Sequence, residues 1–264
     1  MAEATTSDGV TIHYEVEGRA DGPPLVFSNS LGTNLHMWDG QMTEATGLGF
    51  RVVRYDQRGH GKSAAPPGPY KLKRLADDVI DLLDAQKIPK TAFCGLSMGG
   101  MTGMHLAKHL PRRFTRLALC STAAFMPPRD MWEARMKAVG EGGMKAVVDG
   151  VVERWFTSDF RTHEPAEVDR IRAQILSTSP VGYAGCCAAI RDMDERDMLG
   201  TIEAPVLVAI GAHDPATPPE KGEFLVVHIP GAQKTVLESA HLSNIERRDD
   251  FNRAVLGFLA RGHR

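Results

Sequence analysis

Thr91-Ala92-Phe93-Cys94-Gly95-Leu96-Ser97-Met98-Gly99-Gly100-Met101 is the stretch on which the fold turns. The apolar run at 91–94 predicts a short buried strand and the residues at 101–110 predict a helix, so Ser97 falls in the turn between them. Gly95 and Gly99 permit a tight turn that lifts the serine hydroxyl clear of a sheet. The start of the helix that follows favours negative charge developing there. Gly-x-Ser-x-Gly by itself is a common pattern, but between a strand and a helix it marks Ser97 as a nucleophile.

A serine hydroxyl is a weak nucleophile at neutral pH and needs a base, which in turn needs an acid to orient it. Asp214 lies just past the apolar run 206–210, in Gly211-Ala212-His213-Asp214-Pro215. His241, in Ser239-Ala240-His241-Leu242-Ser243-Asn244, follows another strand candidate and precedes a helix. The chain order serine, acid, histidine suits a nucleophile raised above a parallel sheet. A tetrahedral intermediate also needs backbone donors for its oxyanion. The amide of Met98, directly after the nucleophile, is the first candidate. The amide of Leu31, in the loop Asn29-Ser30-Leu31-Gly32, is the second.

Working outward, short β-branched runs at 11–16, 25–28, 51–55, 91–94, 116–120, 205–211 and 234–238 alternate with helical stretches. That alternation predicts an α/β fold, a mostly parallel, doubly wound sheet with helices on both faces. The clearest early helix, at 74–86, sets Leu75, Val79, Leu82 and Leu83 against Asp77, Asp78, Asp81 and Asp84. The last, at 248–259, would bury Phe251, Val255, Phe258 and Leu259. Between 125 and 199 the β-branched runs thin out in favour of amphipathic stretches with Met, Trp and Arg. The expected organisation is therefore a core of residues 1–124 and 200–264, with a helical cap at 125–199 inserted late in the sheet. Such a cap would sit above the carboxyl edge, where open α/β sheets bind ligands.

Asp56-Gln57-Arg58-Gly59-His60-Gly61-Lys62-Ser63 ends like a phosphate-binding loop, but position 56 would have to be glycine and is aspartate. The segment is expected to be a structural turn, with His60 and Lys62 solvated. Lys and Arg total 31 against 33 Asp and Glu, a net charge of -2, which excludes a global field for nucleic acid or an anionic membrane. The N-terminal residues lack a signal-peptide layout, and no apolar run is long enough to cross a bilayer. A cytoplasmic protein is expected. Its four cysteines include no Cys-x-x-Cys pair, so no metal and no cofactor is expected.

Together these residues resemble the α/β-hydrolase superfamily, over about 8–259. Within it they resemble the 3-oxoadipate enol-lactonase family. The superfamily likeness rests on Ser28-Asn29-Ser30-Leu31-Gly32-Thr33 with His36-Met37-Trp38, on the 54–61 turn and on the Ser97 segment. The likeness to the lactonases rests on Trp132-Glu133-Ala134-Arg135, Arg154-Trp155-Phe156-Thr157 and the segment from Gly182 through Cys186 and Cys187 to Asp192. The resemblance implies hydrolysis of a small-molecule carboxylated enol-lactone to 3-oxoadipate, in bacterial breakdown of aromatic compounds. A carboxylate substrate on a nearly neutral protein calls for a local cation. Arg135, one helical turn beyond Trp132, is the first candidate, with Arg129, Arg154 and Arg191 as others. Trp155, Met131 and Met136 are candidate pocket or cap-core residues. A general carboxylesterase, a cofactor-free perhydrolase, or a ligand sensor on the same fold would use the same residues. Serine at position 97 argues against the aspartate-nucleophile dehalogenases and epoxide hydrolases. The sequence specifies no oligomeric state.

Overall fold

A computed structural model describes residues 2–261. All seven expected strands are present: β2 (Thr11–Gly18), β3 (Pro24–Ser28), β4 (Arg51–Tyr55), β5 (Thr91–Leu96), β6 (Phe114–Cys120), β7 (Val206–Gly211) and β8 (Gln233–Leu237). An eighth, β1 (Ala2–Thr5), precedes them. Its sequence Ala-Glu-Ala-Thr carries no apolar run, so nothing local announces a strand. It forms because the open edge of β2 supplies antiparallel partners. The sheet order is β1-β2-β4-β3-β5-β6-β7-β8. Beyond β2, which pairs antiparallel with β4, every pairing is parallel. The central strands β5 and β7 are buried throughout, as a sheet covered on both faces requires.

The helices of the first half are α1 (Asp39–Gly47), α2 (Leu72–Ala85) and α3 (Met98–His109). Helix α2 starts two residues before the apolar period suggests and buries Leu72, Leu75, Val79, Leu82 and Leu83. Asp78, expected on its solvated face, is buried instead, because both of its carboxylate oxygens take 2.5 Å bonds from Arg58.

Between β6 and β7 the described chain is helical: α4 (Arg129–Gly142), α5 (Val148–Trp155), α6 (Ser158–His163), α7 (Pro165–Ser177) and α8 (Pro180–Asp192). Local chemistry starts several of them. Thr157 and Ser179 accept from backbone amides at the starts of α6 and α8, and prolines occupy the first turns of α7 and α8. The two ends of the segment are stitched together, since Phe125 bridges Asp194 and Glu195 donates its amide to Ala124 O. After β7 come α9 (Pro219–His228) and α10 (Ser243–Glu246). The expected final helix is broken into short pieces, with a wider π turn at Asn252–Leu256, while Phe251, Val255, Phe258 and Leu259 remain buried. No helix among the described residues is long and apolar enough to cross a membrane.

The turn after β4 corrects one expectation. Lys62 is exposed, but His60 is only 1% exposed. Its Nε2 accepts the Gly32 amide at 2.8 Å, and its Nδ1 faces Arg58 O at 3.2 Å. Asp56 accepts the amides of Leu35 and Lys62, each at 2.8 Å, so the aspartate that rules out a phosphate loop organises this turn. Gly59, at φ +80°, lies so close to Gly182 of α8 that an added Cβ would stand 2.3 Å from the Gly182 Cα. The glycines were legible in the sequence. The helix pressed against Gly59 and the Gly32 amide bonded to His60 were not, which is why His60 looked solvated.

Burial pushes the His60 imidazole down to about 4 from an ordinary 6.5. Between those values the unfolded chain binds a proton that the folded protein refuses, so stability falls as pH drops through this window. Urea unfolding at pH 7 and pH 4.5 should therefore show the wild type losing about 2 to 3 kcal/mol more than His60→Gln. Equal losses in the two proteins would contradict it.

Candidate active site

Ser97 sits between β5 and α3 with φ +56° and ψ −116°, a backbone state that residues with a side chain rarely adopt. The chain accepts it because both sides of the turn are pinned. Ser97 donates its amide to Cys120 O at 2.9 Å, and its carbonyl accepts Thr122 Oγ1 at 2.7 Å and the Met101 amide at 3.0 Å. Closeness, rather than turn geometry alone, requires the flanking glycines. A Cβ on Gly95 would lie 2.3 Å from Gly99 backbone atoms, and one on Gly99 would lie 2.1 Å from Ser28 O. The serine is 8% exposed, at the floor of a pocket.

Asp214 and His241 meet from the ends of β7 and β8. His241 Nδ1 donates to Asp214 Oδ2 at 2.8 Å, which leaves Nε2 as the acceptor on a ring that lines the same pocket as Ser97. Both side chains are buried. Burial pulls the Asp214 carboxyl upward. The adjoining His241 and the bonds from His241 and Thr217 outweigh that pull and hold it below the usual carboxylate range. Asp214 also accepts the amides of Ala216 and Thr217 at 2.8 and 3.0 Å and Thr217 Oγ1 at 2.6 Å. Thr217 was missed in the sequence. The available signal was Asp-Pro-Ala-Thr, an aspartate placed to cap the turn that follows it.

The loop after β3 lines the same pocket as His241. Of the amides from Ser30 to Thr33, three already donate within the protein: Ser30 to Met37 Sδ, Gly32 to His60 and Thr33 to Ser30 O. Among the described residues Leu31 N–H has no such partner, and neither has the amide of Met98. Leu31 lines the pocket beside Ser97.

The helices between β6 and β7 close the pocket, a cavity of about 90 Å³. Trp132, Arg135 and Trp155 all line it, as does Met131. Trp155 stacks on His241 with ring centroids 5.8 Å apart and accepts the Leu242 amide on its carbonyl, so α5 rests on the histidine's loop. Glu246 ties the same regions together by accepting the Ala240 amide and the Thr157 hydroxyl and amide. Arg135 packs over Trp132, its guanidinium 4.9 Å from the ring centroid, and Arg154 lines the cavity with it. Neither arginine pairs with a carboxylate among the described residues. Burial, then the neighbouring Arg135, lowers the pKa of Arg154. Arg129 and Arg191 are not in the lining: Arg129 pairs with Asp192, and Arg191 with Asp192 and Glu133. Met136 is partly buried against the hydrophobic core instead. Tyr183, Met126, Val151 and Ile190 are also in the walls, and their apolar periodicity alone could not have told wall from core.

Comparison with known proteins accords with this architecture. Residues 28–242 match the family described as serine aminopeptidase, S33. The chain is 42% identical to 3-oxoadipate enol-lactonase 2 of Acinetobacter baylyi, over 98% of this chain and 97% of that one. It is 30% identical to a putative carbamate hydrolase RutD of Variovorax paradoxus, over 95% and 96% of the two chains. The solved enol-lactonase of Burkholderia xenovorans LB400 superposes with a TM-score of 0.95 at 42% identity, covering 98% of this chain and 99% of that one. The chain belongs to the α/β-hydrolase family and, within it, is similar to the 3-oxoadipate enol-lactonases.

Proposed function

We propose that the protein hydrolyses a small carboxylated enol-lactone, 3-oxoadipate enol-lactone giving 3-oxoadipate, as a step in the breakdown of aromatic compounds. Residues 1–124 and 200–264 act as the core, and 125–199 as a cap that closes over the substrate. The observation that carries the substrate class is the pair Arg135 and Arg154, inside the cavity that Ser97 lines and without a carboxylate partner among the described residues. Two guanidiniums in a mostly apolar cleft favour an anion. A neutral carbamate or aryl ester would leave them without a counter-charge.

In this reading Ser97 Oγ attacks the lactone carbonyl while His241 Nε2 takes its proton, and Asp214 holds the imidazolium that forms. The amides of Leu31 and Met98 receive the oxyanion. Collapse breaks the ring C–O bond. The enolate leaves, takes the proton from His241 Nε2 and tautomerises to a ketone. Water then attacks the ester on Ser97 with His241 again as base, releasing a carboxylic acid and regenerating the serine. An enolate leaves more readily than an alkoxide, so acid assistance is a small part of the first step.

Ser97→Ala should lower kcat/KM for the enol-lactone by about three orders of magnitude or more with thermal stability close to wild type. Residual turnover near the wild-type rate would remove Ser97 from the chemistry. Arg135→Met keeps the apolar stem over Trp132 and removes the charge. It should weaken kcat/KM for the carboxylated lactone about 10- to 100-fold while changing a neutral aryl ester by no more than about twofold. Equal losses on both substrates would show that Arg135 does not read the carboxylate.

A further inference from the structure

The buried histidine of the β4 turn stands outside the chemistry proposed above, yet it touches the loop on which that chemistry depends. We propose that His60 is a positioning residue for the oxyanion loop: by accepting the Gly32 N–H on Nε2 it holds the Leu31 amide toward the pocket. The inference rests on the reading of Leu31 as an oxyanion donor and deepens it.

Three observations carry it. The bond is short and enclosed, 2.8 Å from Gly32 N to a ring that is 1% exposed, and Gly32 adjoins Leu31 in the chain. The ring itself is fixed. Its Nδ1 donates to Arg58 O, and Arg58 is clamped by Asp78 and by Asp8, whose oxygens lie 2.5 and 3.1 Å from it. The His60 amide also donates to Gln57 O at 2.9 Å. Finally, Gly32 has φ +87°, and its carbonyl accepts Thr178 Oγ1 at 3.1 Å, so both faces of this residue are held from outside the loop.

An acceptor at this place has a specific chemical requirement. The Gly32 N–H is buried, and without a partner it would carry a desolvation penalty large enough to turn the peptide toward another acceptor. Turning it would move the neighbouring Leu31 amide, and an oxyanion donor displaced by a fraction of an ångström loses much of its value in the transition state. Only a neutral imidazole with its proton on Nδ1 can accept on Nε2. Burial keeps the ring neutral, since it pushes the pKa down to about 4.

Two substitutions separate this role from simple packing. Gln places an oxygen near the former Nε2 and keeps an acceptor for Gly32. Asn reaches only as far as Nδ1 and leaves Gly32 unpaired. With p-nitrophenyl acetate as the probe, His60→Asn should lower kcat about 10- to 100-fold with KM within about twofold of wild type, while His60→Gln stays within about threefold in both. Asn activity within threefold of wild type, or equal kcat losses in the two variants, overturns the proposal. If the Asn variant fails to fold, the Gln variant decides: kcat within threefold supports the proposal, and a loss beyond tenfold overturns it. A crystal structure of the wild type with Ser97 phosphonylated by a p-nitrophenyl phosphonate tests the underlying reading separately. A phosphoryl oxygen within hydrogen-bond distance of Leu31 N supports it. An oxygen held elsewhere removes the Leu31 assignment, and the His60 role with it.

Discussion

Everything in the site is arranged around a backbone that would not hold its shape alone. Ser97 occupies a positive φ at a turn so tight that Gly95 meets Gly99, and Gly99 meets Ser28, at distances no side chain could enter. Strain of this kind persists only when its surroundings over-determine it. Here β6 receives the Ser97 amide, Thr122 takes its carbonyl, and the loop after β3 takes the Gly99 amide on Asn29 O. The contact that stabilises the turn therefore also docks the loop carrying Leu31. Candidate nucleophile and candidate oxyanion donor are located by the same backbone approach.

A second constraint is polar. Asp214 lies in a buried place where a lone carboxylate would be costly, and it is kept ionised by four donors converging on its two oxygens. Those bonds fix the tautomer of His241 and turn its other nitrogen toward the pocket. The segment between β6 and β7 then meets this acid–histidine pair directly, through Trp155 on the imidazole ring and through Glu246 bridging Thr157 and the Ala240 amide. The roof of the pocket is thus registered against its chemical floor, and Arg135 and Arg154 come to face the cavity as a result of that registration.

The elements that the sequence made visible are those whose signal is local. The central strands are continuous apolar runs because both sheet faces are covered, and the glycines around Ser97 report a close approach regardless of what approaches. Asp214 and His241 could be picked out because each follows such a run in the required order. What stayed hidden depended on partners far along the chain. β1 exists through its pairing with β2, Asp78 is buried because Arg58 reaches it, and Thr217 matters because the Asp214 turn folds it back onto the carboxylate.

By itself the sequence determined the alternating architecture and the strand–turn–helix around Ser97, and it singled out Asp214 and His241 as candidates, because hydrophobic period, turn chemistry and motif order are properties of neighbouring residues. Only the tertiary structure decided that Arg135 and Arg154, of four candidate arginines, face the cavity and that His60 is enclosed rather than solvated. An exposed cation and a pocket cation share one local pattern, and a histidine beside two glycines reads as surface until the distant loop that bonds to it through Gly32 is in place. Burial is a property of the assembled chain, and it is burial that turns these residues from polar decoration into parts of a site.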